Sequence, residues 1–327
     1  MTRYGAVYLA TGNVDNFVLP KNTLRSAFGP GAGIVNKAAG YIFGGYSSAY
    51  LTSVQKLTFA SDTVSTLGFS LGTATGYQSV GSSATNVYTF GGYTSASAML
   101  NTHYKMVIAS ESYSTLSSTS SSVHYGGNIG NVSNSTNSYW AIGYNGSYLT
   151  TVNKLLFSNE TASNVGNILT YTAFYRGSTI NRSNSYGYFF GGYDGTPRSN
   201  IERLNTLTDT NTNLGATLSA TNYGPAGTTS STAGYIMGGY DGNYLSRVEK
   251  LLYSTETRSS LGNILTAQRY AGGACESSTS GYAVGGYSGA VGGPVNTTDK
   301  LNFSTDAVSQ ISGTLSATNY ANFGTVA

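Results

Sequence analysis

Charge, cysteine, proline and tryptophan are all scarce in this chain of 327 residues: 9% of residues are charged, and there are five prolines, one tryptophan and one cysteine. A lone Cys275 can form no intrachain disulfide and supply no cysteine-based metal cluster, so a small-residue packing role is expected for it. The charges that exist are scattered. The net charge is +3 with no block of Lys or Arg, which argues against nucleic acid as a partner. No apolar run approaches the roughly 18 residues of a spanning helix, so membrane insertion is not expected. The opening MTRYGAVYLATGNVDNF lacks a basic segment followed by an apolar one, and export by a signal peptide is not expected either.

What the chain has instead is 43 Gly, 28 Tyr, many Ser, Thr and Asn, and 39% hydrophobic residues. Disorder goes with high charge and few aromatics, so it is excluded. Short strands, tight turns and polar loops fit this composition, and the expected class is all-β.

A repeat decides the architecture. In GYIMGGYDGNYLSRVEKLLYSTETRSSLG, residues 234–262, a short apolar run ends in Gly238, Gly239 and Tyr240, a polar turn follows, and an alternating run closes the unit. The same order recurs with Gly44, Gly45 and Tyr46; Gly91, Gly92 and Tyr93; Ile142, Gly143 and Tyr144; Gly191, Gly192 and Tyr193; and Gly285, Gly286 and Tyr287. Successive spacings are 47, 51, 49, 47 and 47. Such a period marks a propeller or solenoid built from equal units. Six full repeats cover about 24–312, with half-repeats at 1–23 and 313–327, and the whole of 1–327 is expected to form one domain.

Each unit reads as four strands, a to d, joined by hairpins. Sheets stacked around an axis bury both faces of every unit, which is the β-propeller solution. The C-terminal stretch LSATNYANFGTVA is a seventh a-like strand. Together with the N-terminal half-unit it is expected to make a composite blade, giving seven; six blades with the ends packed elsewhere is the alternative. The paired glycines allow positive φ and close approach of a neighbour, and the tyrosine after them fills the space.

A basic residue, an acid six later and an aliphatic residue eleven later recur in all six units, from Lys56, Asp62 and Leu67 to Lys300, Asp306 and Ile311. Six residues of strand span about 20 Å, so the two charges of one unit cannot pair along it. Pairing between neighbouring blades is expected; the alternative is that each acid only caps its own c–d turn.

An apolar b strand, a Gly-Gly doublet, a Tyr-Asp-Gly turn and two further strands, best seen in YFFGGYDGTPRSNIERL and YIMGGYDGNYLSRVEKL, resemble the kelch repeat. The resemblance covers about 24–312 and implies a propeller of kelch-like four-stranded blades closed by strands from both termini. One departure is that kelch units carry Trp in the last strand, where this chain has Leu67, Leu116, Val165, Leu214, Leu261 and Ile311; its only tryptophan, Trp140, falls in a b strand.

Catalytic groups are hard to find. His103 and His124 read as surface or loop residues, and the GxG strings end strands rather than open helices, so they are turn glycines. Galactose oxidase, a kelch-like enzyme, implies a copper site of two Tyr, two His and a Cys-linked Tyr. The residue types exist here, but His103, His124 and Cys275 share no motif. The expectation is no enzyme, no cofactor and no metal. The aromatics near each a strand, Phe28, Tyr77, Tyr125, Tyr175, Tyr223, Tyr270 and Tyr320, would encircle one mouth of the channel if strand a is innermost, where packing between blades competes with sugar stacking as their role. The b–c loops vary most and supply the binding candidates: Asp194, Arg198, Asp241, Tyr244 and the segment 288–298.

Gly-, Ser-, Thr-, Asn- and Tyr-rich composition with little charge or cysteine is similar to that of bacteriophage tail and fibre proteins. That resemblance implies a non-enzymatic virion component, with other virion proteins or a host-surface glycan or receptor as partner. Homo-oligomerisation is compatible with it. The alternative is a cytoplasmic kelch protein serving as an adaptor or a sugar-modifying enzyme.

Overall fold

A computed structural model of the chain describes residues 38–320, apart from 182 and 184, and residues 323–326. The described residues contain no helix and form six mainly antiparallel blades around an axis. In blade one the second to fourth strands are Ala39–Phe43, Ser53–Thr58 and Thr63–Ser70. The repeat carries the same three strands through Asn86–Thr94, Met99–Val107 and Ser112–His124 in blade two and on to Ser280–Val284, Thr298–Asn302 and Val308–Gln310 in blade six. Innermost strands are short and rich in small residues, such as Ser79–Ser82, Ala226–Thr229 and Gly273–Glu276.

Six blades, not seven, close the ring. The C-terminal strand Phe323–Val326 builds no seventh blade; it pairs antiparallel with Ala39–Phe43, Ile42 opposite Gly324, and becomes the innermost strand of blade one, which thereby closes the ring by joining the last described strand to the first three. Two physical facts favour this. A terminal strand laid on that edge completes a ladder, and blade six packs directly on blade one through Cys275, Tyr282 and Val284 against Ile42 and Leu57, which leaves no gap for a seventh sheet. Residues 1–23 and Phe28 lie outside the described residues.

Alternation along the second strands explains how both faces of a blade are buried. Tyr41 and Phe43 pack toward blade two with Val87 and Met106, while Ile42 faces blade six. Each neighbouring pair of blades shares one such core, six in all, and the residues standing where kelch units have Trp join them. Cys275 fills the expected packing role, its Sγ 2.5 Å from where a Cβ on Gly40 of blade one would sit.

The charged residues form a ring. Lys56 meets Glu111 at 2.6 Å, Lys105 meets Glu160 at 2.9 Å, Lys154 meets Asp209, Arg203 meets Glu256 at 2.9 Å, Lys250 meets Asp306 at 2.7 Å, and Lys300 returns to Asp62 at 2.7 Å. Every basic group thus reaches the acid of the next blade, as the spacing argument requires. A tyrosine hydroxyl from the strand beside each basic group joins the same acid, for example Tyr282 to Asp62 at 3.0 Å and Tyr188 to Glu256 at 3.0 Å. The acids also occupy the c–d turns, in the left-handed region at φ between 48° and 57°. There the flanking hydroxyls bond to each other, as Ser61 does with Thr63 at 2.7 Å, and the carboxylate is left to span the blades.

Candidate binding face

The b–c loops and the segments leading into the innermost strands meet at one end of the propeller. Each doublet tyrosine is bridged to a residue of its own blade's innermost segment: Tyr46 to Tyr320, Tyr144 to Tyr125, Tyr193 to Phe174, Tyr240 to Tyr223 and Tyr287 to Tyr270. In blade two the partner of Tyr93 is Gly76. This corrects the sequence register at two places. Gly76 and Phe174, not Tyr77 and Tyr175, hold the equivalent positions. Tyr77 and Tyr175 come one residue later, in the left-handed region at φ 62° and 55°, where a tyrosine is strained.

Glycine is required beside these tyrosines. Gly239 has φ 106°, and a Cβ there would overlap Asn222 Oδ1, the acceptor for the Tyr240 amide at 3.0 Å. Gly45 stands in the same relation to Asn319, whose amide donates to the Gly44 carbonyl at 2.7 Å.

The rings form a closed circuit. Successive centroids from Tyr46 through Tyr50, Tyr93, Tyr125, Tyr144, Tyr148, Tyr193, Tyr223, Tyr240, Tyr244, Tyr287 and Tyr320 back to Tyr46 are 5.0–6.1 Å apart, mostly edge-to-face or tilted. All twelve are partly exposed. Tyr77, Tyr175 and Tyr270 fill the middle, 5.3 and 5.8 Å apart in sequence, over Val80, Ile129 and Ala271. The same rings pack between blades and show part of their surface to solvent.

No family model matches this chain, and no curated protein matches it.

Burial favours the neutral form of several tyrosine hydroxyls on this face. Burial, reinforced by the nearby Tyr93, pushes Tyr50 up to about 12. Burial likewise raises Tyr77, next to Tyr320, and raises Tyr125, Tyr148, Tyr223 and Tyr244. The face therefore presents aromatic edges and neutral hydroxyl donors.

Asp194, Arg198, Asp241 and Tyr244, the loop candidates, all fall on this face. Asp194 and Arg198 bind each other, with Arg198 Nε donating to Asp194 Oδ1 at 2.9 Å, and Asp241 lies 3.9 Å from Arg247. Tyr244 is a member of the circuit, 5.0 Å from Tyr240 and 5.3 Å from Tyr287. In blade six the segment 288–298 begins as a hairpin pairing Tyr287 with Pro294. Every lysine and arginine among the described residues is ion-paired within the chain.

The two histidines are buried, not surface residues. His103 is 0% exposed, edge-on to the stacked pair Phe90 and Trp140 at 5.1 and 5.0 Å, with Nε2 2.9 Å from Ser120 Oγ. His124 is 1% exposed beneath Gly91, where an added Cβ would lie 2.6 Å from its ring. Burial lowers His103 to about 3 and His124 to about 4. Both sit in blade two and Cys275 in blade six, so the structure does not gather the residues of a galactose-oxidase-like site. Sequence reasoning missed this burial because the covering rings come from other strands, and Trp140 from the next blade.

Proposed function

We propose that this chain is a non-enzymatic binding propeller whose tyrosine face engages neutral carbohydrate, in a tail or fibre component of a bacteriophage virion that attaches to host-surface glycans. The observation that carries the binding part is the closed circuit of twelve partly exposed tyrosines. Aromatic rings with a polar tip suit the C–H faces and hydroxyls of a sugar. Because the described cationic groups are already ion-paired, a charged ligand would have to break an existing pair to gain a counter-ion. A neutral one would not. The virion part is supported by composition, and kinship to kelch proteins by the glycine doublet, the turn and the period.

Two measurements test the proposal. The protein should be recovered in purified particles, and the isolated chain should bind neutral glycans on an array in preference to sialylated or sulfated ones. Absence from particles overturns the virion assignment, and failure to bind any glycan overturns the carbohydrate assignment.

A further inference from the structure

The ring of six blades alternates. Four residues after each doublet tyrosine stand Tyr50, Ser97, Tyr148, Pro197, Tyr244 and Val291, so tyrosine occurs in blades one, three and five and in none of the others. In four blades these positions correspond in space, since Tyr46 bridges Tyr50, Tyr144 bridges Tyr148, Tyr193 bridges Pro197 and Tyr240 bridges Tyr244; in blades two and six, where the loop is longer, the doublet tyrosine pairs with Met99 and with Pro294 instead, again not a tyrosine. Toward the axis glycine stands in blades three and five, and a side chain, though only a methyl in blade six, in the even blades. At the left-handed position blades two, four and six have Tyr77, Tyr175 and Ala271, and blades three and five have Gly126 and Gly224.

The circuit is therefore one four-ring path repeated three times. Its steps are 5.0, 6.0, 5.0 and 5.6 Å from Tyr46 to Tyr144, then 5.2, 6.1, 5.0 and 5.4 Å from Tyr144 to Tyr240. From Tyr240 back to Tyr46 they are 5.0, 5.3, 5.6 and 5.4 Å. Only the step from Tyr244 to Tyr287 departs by more than 0.6 Å from its counterparts, and there Gly289 lies against the Tyr244 ring, with an added Cβ 2.9 Å from Cε2.

We propose that the face is trivalent, with three saccharide subsites centred on Tyr50, Tyr148 and Tyr244, each taking one neutral pyranose against the loop tyrosine where an odd blade meets the next even one. This rests on the carbohydrate reading above. The ligand is neutral because the charges that stand on this face, Asp194 with Arg198 and Asp241 with Arg247, are paired. The Tyr50 and Tyr148 subsites share nearly the same ring spacings along the circuit, and the Tyr244 subsite is weaker because Gly289 covers one side of its ring. Three subsites on one rigid face explain how weak single-sugar contacts would hold a glycan-coated surface, since linked binding events strengthen attachment by roughly 10²–10⁴-fold without new contacts.

Native mass spectrometry and calorimetry with neutral trisaccharides of glucose, galactose, mannose and N-acetylglucosamine, with sialyllactose as a charged control, test this on the full chain. Saturation at three sugars per chain is expected. Tyr148→Ser should reduce this to two, and Tyr148→Phe should retain three. The triple change of Tyr50, Tyr148 and Tyr244 to Ser should leave none, with an unchanged melting temperature as the folding control. Saturation at any other number, or serine variants that leave the number unchanged, overturns trivalence while sugar binding stands. No binding of any of these sugars, to a chain shown to be folded, overturns trivalence together with the reading beneath it. Binding of a threefold protein in place of sugars does the same.

Discussion

Lys300 and Asp62 are 238 positions apart in the chain and 2.7 Å apart in space. Their contact turns a series of inter-blade ion pairs into a closed cycle. With side chains 27% and 28% exposed, the pair is screened by water and stabilises by about 0–1 kcal/mol. Asp62→Asn removes the charge and keeps a residue type that tolerates φ 52°. Urea melts should show a loss of about 1 kcal/mol or less that shrinks in high salt. Coupling well above that in a double-mutant cycle with Lys300→Met would mean the pair holds the seam far more strongly than its exposure allows.

Gly239→Ala and Gly195→Ala separate backbone strain from crowding. Both positions are left-handed, at φ 106° and 112°, but Gly195 has nothing within 4 Å whereas Gly239 faces Asn222. Strain alone costs about 1–3 kcal/mol. Gly195→Ala should show that loss, and Gly239→Ala should exceed it by at least about 1 kcal/mol because Asn222 and its bonds to Gly238 and Tyr240 must move. Equal losses in thermal melts would remove close approach as a reason for the doublet.

Stability should fall on both sides of neutrality. Burial depresses His103 and His124 to about 3 and about 4. Below the ordinary histidine range the unfolded chain binds protons that the folded one refuses, so stability present above about pH 6.5 is lost toward pH 4, by about 3 kcal/mol for each histidine. His124→Asn, which copies Asn222 and Asn319 ahead of the equivalent tyrosines, should flatten the acid limb. On the alkaline side, burial raises Tyr77, Tyr113 and Tyr270. Stability present below about pH 10 should be lost as the unfolded tyrosines ionise. Chemical denaturation across pH 4–11 checks both limbs; a flat profile between pH 7 and pH 4 would contradict the histidine assignment.

Ending the chain at Tyr320 removes the strand Phe323–Val326 and leaves Ala39–Phe43 as an unpaired inner edge. Each ladder hydrogen bond lost costs about 1 kcal/mol, and an open edge invites pairing between copies. A lower melting temperature with concentration-dependent aggregation is expected by light scattering. An unchanged melt would show that closure of blade one does not depend on this strand.

Strand order, the doublets and the cross-blade ion pairs were legible in the sequence because each repeats around the chain, the doublet five times and the other two six, and has a local physical cause. Blade number was not, since Phe323–Val326 has the same sequence character whether it founds a seventh sheet or fills the inner edge of the first. Only the packing of Cys275 and Tyr282 on Ile42 and Leu57 decides that. The offset of Tyr77 and Tyr175 was hidden because Gly76 and Phe174, one residue earlier, break the aromatic pattern in opposite ways. Tyr244 was picked out for loop variability, but its equivalence with Tyr50 and Tyr148 emerges only when alternate blades are compared.

Six shared cores among six blades are one more than an open row of six units could have. An open row frays from its ends, and its last units need polar caps. Here every blade has two neighbours, so detaching any one breaks two cores at once, and amide hydrogens on the second and third strands of different blades should exchange with closely similar protection around the circle.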